Sequence, residues 1–156
     1  MEIDEMAHLF RKSLPPAGNR IPFSSIVKML SARGCVDEWM AGLFPSSRCF
    51  FLSSGTAALH VTLLSLKNHS HRNEVIIPAY TCPSLVTAIT KAGLTAVACD
   101  LEKSGFGMDL SQVESLMGDA TLAVIAVHLF GLTEKVHELK RLTRQRKVFL
   151  IEDAAQ

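Results

Sequence analysis

Three short clusters hold groups that could do chemistry. The first is Ser53-Ser54-Gly55-Thr56, directly ahead of the apolar run AALHVTLLSLK. A helix over residues 57–67 would leave its first backbone N–H groups without partners, at the positive end of its dipole. Such a start binds phosphate: Gly55 allows close backbone approach and the Thr56 hydroxyl donates a further hydrogen bond. The same residues also describe an ordinary Ser/Thr cap on a tight turn. Neither GxGxxG nor GxxxxGK(S/T) occurs, so dinucleotide and P-loop sites lack their fingerprints.

The second cluster is Pro78-Ala79-Tyr80-Thr81-Cys82-Pro83-Ser84, between a strand-like run and a helical one. It suits a wall lying against a flat ligand. Cys82 beside a helix start could have a lowered pKa and act as a nucleophile. No histidine adjoins it in sequence, and small residues at such a junction serve close packing equally well. The third cluster, Glu152-Asp153-Ala154-Ala155-Gln156, follows the apolar run VFLI. A carboxylate at the end of a buried strand is costly without a partner. Facing a heteroaromatic nitrogen, Asp153 would hold that nitrogen protonated and make the ring an electron sink. Capping of a following helix accounts for Asp153 equally.

Other candidates read as structural. His69 and His71 form an HxH in a polar loop, which suits solvation better than metal binding. His128 ends an apolar run and reads as a hydrogen-bonded core or loop histidine. Lys135, Lys140, Arg141, Arg144, Arg146 and Lys147 make a helix basic toward its C-terminus, where its dipole favours cations. With 16 basic and 15 acidic side chains the net charge is +1, so no global field draws nucleic acid or an anionic membrane. Four cysteines without a CxxC pair indicate neither a zinc site nor a disulfide framework. The apolar stretch 122–132 is interrupted by His128 and Gly131 and is too short to span a bilayer. MEIDEMAHLF carries acidic residues where a secretory signal needs basic ones. The expectation is a cytoplasmic, reduced protein.

The elements that must position these clusters alternate regularly. Strands are expected at 49–53, 74–78, 95–101, 121–130 and 148–154, and helices at 57–67, 83–91 and 135–147. A further helix follows Asp109 as its N-cap. The helix 57–67 is apolar on nearly every face and is expected in the interior. The run TLAVIAVHLF does not alternate, so that strand is buried on both faces. The pattern predicts an α/β fold: βα units on a mostly parallel sheet with helices on both faces. Residues 1–47, broken by prolines and glycines, form a separate helical and loop segment ahead of 48–156. A last strand of Val148, Phe149, Leu150 and Ile151 calls for further covering elements, so the chain is expected to be the front part of a larger fold.

Taken in order, SSGTAAL, EVIIPAYTCPSLVTAI, Asp100, MDL (108–110), HLFG (128–131) and IEDAAQ resemble one family. It is the pyridoxal-phosphate-dependent sugar aminotransferases of the DegT/DnrJ/StrS group, and the match covers residues 48–156. The resemblance implies an incomplete large domain of the aspartate-aminotransferase fold, with pyridoxal 5′-phosphate as cofactor. It implies that Gly55, Thr56 and Ala57 bind the phosphate, that Asp153 pairs with the pyridinium nitrogen, and that Gln156 lies near the phenolic oxygen. Cys82 falls where many members place an aromatic residue stacked on the ring, which leaves Tyr80 as a substitute. The lysine that bonds the cofactor lies downstream of EDAAQ in the family, and Lys67, Lys91 and Lys103 match no such position. Members that act as sugar dehydratases carry histidine instead. The resemblance thus implies the N-terminal part of an aminotransferase for nucleotide-linked keto-sugars, with glutamate as amino donor and a homodimer as assembly. The chain alone is expected to be inactive. A non-catalytic product that binds a partner or the phosphate weakly is the alternative; a flavodoxin-like or dinucleotide module lacks its glycines.

Overall fold

The computed structural model describes residues 49–155, with Phe23, Ser24 and Gly42. The chain forms two compact units, Met1–Phe50 and Phe51–Gln156. The second contains α1 (Gly55–Lys67), β1 (Glu74–Pro78), α2 (Pro83–Lys91), β2 (Thr95–Cys99) and α3 (Leu110–Leu116), then β3 (Thr121–Val127), α4 (Val136–Arg146) and β4 (Phe149–Asp153).

The four strands form one sheet in the order β2-β1-β3-β4, and every pairing is parallel. Side chains alternate between the two faces with a period of two, so each strand feeds two cores. On one face Val75, Ile77, Ile125 and Val127 pack with Leu63 of α1 and Leu85 and Ile89 of α2. On the other, Ile76, Val124 and Ala126 pack with Val113 of α3 and Leu139 and Leu142 of α4. β3 is buried at every position because it is central and covered on both faces. That is why TLAVIAV shows no polar alternation.

Local chemistry sets the element ends. The Asp109 side chain accepts from the Ser111 and Gln112 N–H groups and starts α3. After α2 the chain reverses at Gly93, whose φ of +67° suits glycine. A Cβ there would lie 2.7 Å from Lys67 Nζ, which donates to the Ala92 and Gly93 carbonyls at 2.9 and 3.0 Å. Arg72 Nη1 donates to the Thr121 carbonyl at 3.1 Å and to that of Lys147 at 3.0 Å, tying β3 to the end of α4.

Several expectations change. Residues 49–53 form no strand. The strand expected to reach residue 130 ends at Val127, where His128 leads into a short helical turn, Leu129–Gly131, with Phe130 at φ 56°. Leu101 leaves β2 to bridge Met108 in antiparallel fashion, so that strand ends at Cys99. α1 is not interior: it buries only Leu63, and Val61 and Leu64 are 48% and 39% exposed. It shares its face of the sheet with α2. His69 Nδ1 lies 2.8 Å from its acceptor, the Ser65 carbonyl. No described helix is long and apolar enough to cross a membrane.

Chain direction matters most. From β1 the chain passes through α2 to β2 on one side; from β3 it passes through α4 to β4 on the other. The reversal opens a crevice at the carboxyl ends of β1 and β3, where ligands collect in such sheets.

Candidate functional site

A cleft of about 290 Å³ occupies that crevice. Gly55 and Thr56 border it from α1, Thr81, Cys82 and Ser84 from the turn after β1, Val127 from β3 and Asp153 from β4.

The α1 side is a row of donors. Ser54 is extended, and its Oγ accepts from the Ala57 N–H at 3.1 Å. Its carbonyl accepts from the Ala58 N–H at 2.9 Å. Among the described residues the Gly55 and Thr56 N–H groups have no acceptor. The first turn contains no acidic residue, so the positive end of the dipole is uncompensated. A Cβ on Gly55 would meet nothing within 4 Å, leaving the backbone open to an approaching group. Ala57 is not on the cleft wall, and its N–H is engaged by Ser54.

The opposite wall is short and tightly bonded. The Ala79 N–H donates to the Cys99 carbonyl at 2.7 Å and anchors the turn to β2. Pro83 opens α2, a position where a missing N–H costs nothing. Ser84 Oγ donates to Cys82 Sγ at 3.0 Å. This hydrogen bond, with one from the Ser84 backbone, lowers the exposed thiol below its ordinary range, against burial and the negative charge of Asp153. Thr81 Oγ1 is fully buried and has no hydrogen-bond partner among the described residues.

Asp153 closes the floor. It stands in register with Val127, two residues beyond Ile151, which packs on the α1–α2 core. Alternation therefore carries its carboxylate to the face of α1. Its carbonyl accepts from the His128 N–H at 3.0 Å, and Oδ1 accepts from the Ala155 N–H at 3.2 Å. The carboxylate is half-buried and has no cationic partner among the described residues. Gln156 lies outside the described residues.

A smaller cavity of about 140 Å³ adjoins the other flank of β3. There Glu134, 5% exposed, accepts from the Met108 and Lys135 N–H groups. Lys135 pairs with Glu102 at 2.6 Å, which raises its pKa. No signal in the sequence pointed to Glu134. His128 Nδ1 accepts from the Glu134 N–H at 3.0 Å, with Nε2 3.6 Å from Glu152. No cluster of three or more His, Cys, Asp or Glu among the described residues could hold a metal. Thr81 and Ser84 were missed as individual site residues; their only sequence signal was membership of the turn after β1.

Comparison with known proteins places this geometry in context. The sequence profile of the DegT/DnrJ/EryC1/StrS aminotransferase family matches residues 38–156. GDP-perosamine synthase of Escherichia coli O157:H7 is 35% identical over 105 residues, covering 67% of this chain and 29% of that protein. The chain thus spans about a third of such relatives' length. The crystal structure of 3-amino-5-hydroxybenzoic acid synthase matches with a TM-score of 0.68 at 26% identity, over 76% of this chain and 31% of that one. An E. coli GDP-4-keto-6-deoxy-D-mannose-3-dehydratase with bound hydrated PLP shares the fold, with a TM-score of 0.74 at 20% identity over 90% of this chain and 40% of that one.

Proposed function

Because the chain belongs to the DegT/DnrJ/EryC1/StrS aminotransferase family, we propose that it supplies the cofactor-holding part of a pyridoxal-phosphate-dependent aminotransferase. The substrates would be nucleotide-linked keto-sugars in the cytoplasm, with glutamate as amino donor and a second copy of the chain as partner. GDP-perosamine synthase among the relatives supports a sugar carried on a nucleotide diphosphate.

One observation carries the reading: a single cleft unites unpaired N–H groups at a helix start with a carboxylate that has no cationic partner. The donors fit a doubly charged phosphate ester, and the carboxylate fits a protonated ring nitrogen. When bound, the cofactor supplies an electron sink for bond changes at the carbon that exchanges its amino group. The Gly55 and Thr56 N–H groups and the Thr56 hydroxyl would hold the phosphate, with Ala57 keeping the helix start in shape. Asp153 would keep a proton on the ring nitrogen. Cys82 would form part of the wall against the ring, and Gln156 would serve the phenolic oxygen.

No lysine borders the cleft among the described residues. We propose that the 156-residue chain binds the cofactor without turnover. A second reading is a sugar dehydratase, which would use the same cleft. Equilibrium dialysis of the chain against pyridoxal 5′-phosphate tests the binding, and saturable one-to-one uptake is expected. Absence of uptake would sink the proposal. A coupled assay with glutamate and a GDP-linked keto-sugar tests turnover, and amino-sugar formation by this chain would overturn its inactivity.

A further inference from the structure

Among the described threonines, Thr81 is distinguished by a shielded hydroxyl with no partner. Thr62, Thr87 and Thr90 return their hydroxyls to helix carbonyls at 2.9, 3.1 and 2.9 Å. The buried Thr121 and Thr143 hydroxyls also have carbonyl partners. Thr81 Oγ1 is equally shielded from water and has none among the described residues. A buried hydroxyl without a partner is a net loss to the fold, so such groups mark places where something else completes the bond. The surrounding turn does not complete it. Ser84 Oγ is committed to Cys82, the Cys82 carbonyl to the Leu85 N–H, and the Ala79 N–H to Cys99.

The residue lies on the wall of the cleft whose opposite side holds the unpaired Gly55 and Thr56 N–H groups. It is partly exposed, and all of that exposure comes from atoms other than Oγ1. The hydroxyl is therefore held back in the wall, and a change of χ1 rotamer is the motion that would turn it toward a bound group. The α1 side of the cleft is rich in donors, and the acceptor Asp153 lies on its floor. Donors at the α1 start face the cleft, the Thr81 hydroxyl lies behind its opposite wall, and the first turn of α1 has no acidic residue. Acceptor-rich anions suit such a place.

We propose that Thr81 is a further anion-binding residue of this cleft, its hydroxyl turning to donate to a phosphate-ester oxygen held at the start of α1. The proposal rests on the cofactor reading above and adds a residue to it. It has a two-sided consequence. Thr81→Val removes a hydroxyl that no described residue satisfies, so the protein without ligand should gain or keep stability. It also removes a donor to the ligand, so the phosphorylated ligand is lost more readily.

The test uses the 156-residue chain, with Thr81→Val and Thr81→Ser beside wild type. Each is dialysed against pyridoxal 5′-phosphate and against pyridoxal, and unfolded in urea without ligand. For Thr81→Val, affinity for pyridoxal 5′-phosphate should fall roughly tenfold, pyridoxal affinity should not change, and the urea midpoint should hold or rise. Thr81→Ser should stay within about twofold of wild type. Equal losses for both ligands would place Thr81 against the ring and overturn the proposal, as would unchanged binding. A lowered midpoint or failure to fold in Thr81→Val would overturn it too, since the hydroxyl would then serve the fold. If wild type takes up neither ligand, the cofactor reading itself falls; if wild type binds and only the Thr81 pattern fails, that reading stands without Thr81.

Discussion

Val127 and Asp153 are the last register partners of β3 and β4, and both border the cleft that Thr56 closes from α1. A strand residue's face is decided by the parity of its position. Asp153 therefore shares the side of Ile151 and Val127, which is the side α1 covers. A shift of one residue in β4 would send the carboxylate toward α4 instead.

Asp153→Asn keeps the side-chain shape but removes the charge that would hold a ring proton. Affinity for pyridoxal 5′-phosphate should fall roughly tenfold, while inorganic phosphate should still compete for the cleft as in wild type. Dialysis with phosphate as competitor measures both. Unchanged cofactor affinity would remove Asp153 from the site.

Cys82 should be alkylated by iodoacetamide with a pH midpoint below that of an ordinary thiol, because the Ser84 hydrogen bonds stabilise the thiolate. Ser84→Ala should move the midpoint up. Asp153→Asn should move it down, since the Asp153 charge opposes ionisation. Mass-spectrometric rates across pH read all three; a Ser84→Ala midpoint equal to wild type would contradict the assignment.

Cys99 is buried and lies near Asp109 and Asp100; burial first, then these charges, raises its pKa to about 11. A thiol held protonated in the fold contributes stability that is complete below its ordinary pKa. That contribution is lost as pH rises from the ordinary value toward about 11. Urea midpoints should fall more steeply over this window in wild type than in Cys99→Ala. Parallel slopes would show that the thiol is not coupled to folding.

Gly107→Ala should destabilise by about 1–3 kcal/mol. The new Cβ would sit 2.8 Å from Glu134 Oε1 and 2.9 Å from Glu102 Oε1. Both carboxylates are tethered, Glu134 by the Met108 N–H and Glu102 by Lys135, so neither yields freely. Chemical denaturation checks the value, and a neutral result would mean the loop relaxes.

Leu139→Ala and Leu64→Ala separate the two sides of the fold. Leu139 is fully buried in the α3–α4 core and its loss should cost about 2–5 kcal/mol. Leu64 is 39% exposed on α1 and should cost well under half of that. Equal costs in the isolated chain would show that the outer face of α1 is covered in solution.

Much was readable along the chain because its causes are local. Apolar runs bounded by turn residues marked β1 and β3, Asp109 declared the start of α3, and Ser54 with Gly55 and Thr56 marked a helix start able to bind an anion. The family was legible too, through ordered motifs at the carboxyl ends of strands. The exposure of α1 was not, since an all-apolar pattern records what a helix can bury and not what is present to cover it. Nor was the early end of the strand after Val127, where a turn at Phe130 overrides an apolar run.

The chain by itself decided which segments are strands and helices, where several begin, and which side chains can hold a phosphate or a ring. These depend on neighbours a few residues away. Only the folded sheet decided that β1 and β3 lie side by side, with chain crossings that diverge around their ends. That order brings Thr56, Thr81 and Asp153 to one cleft and leaves the Thr81 hydroxyl without a partner among the described residues. Strand order and hydrogen-bond satisfaction depend on contacts between distant parts of the chain, and no local spacing encodes them.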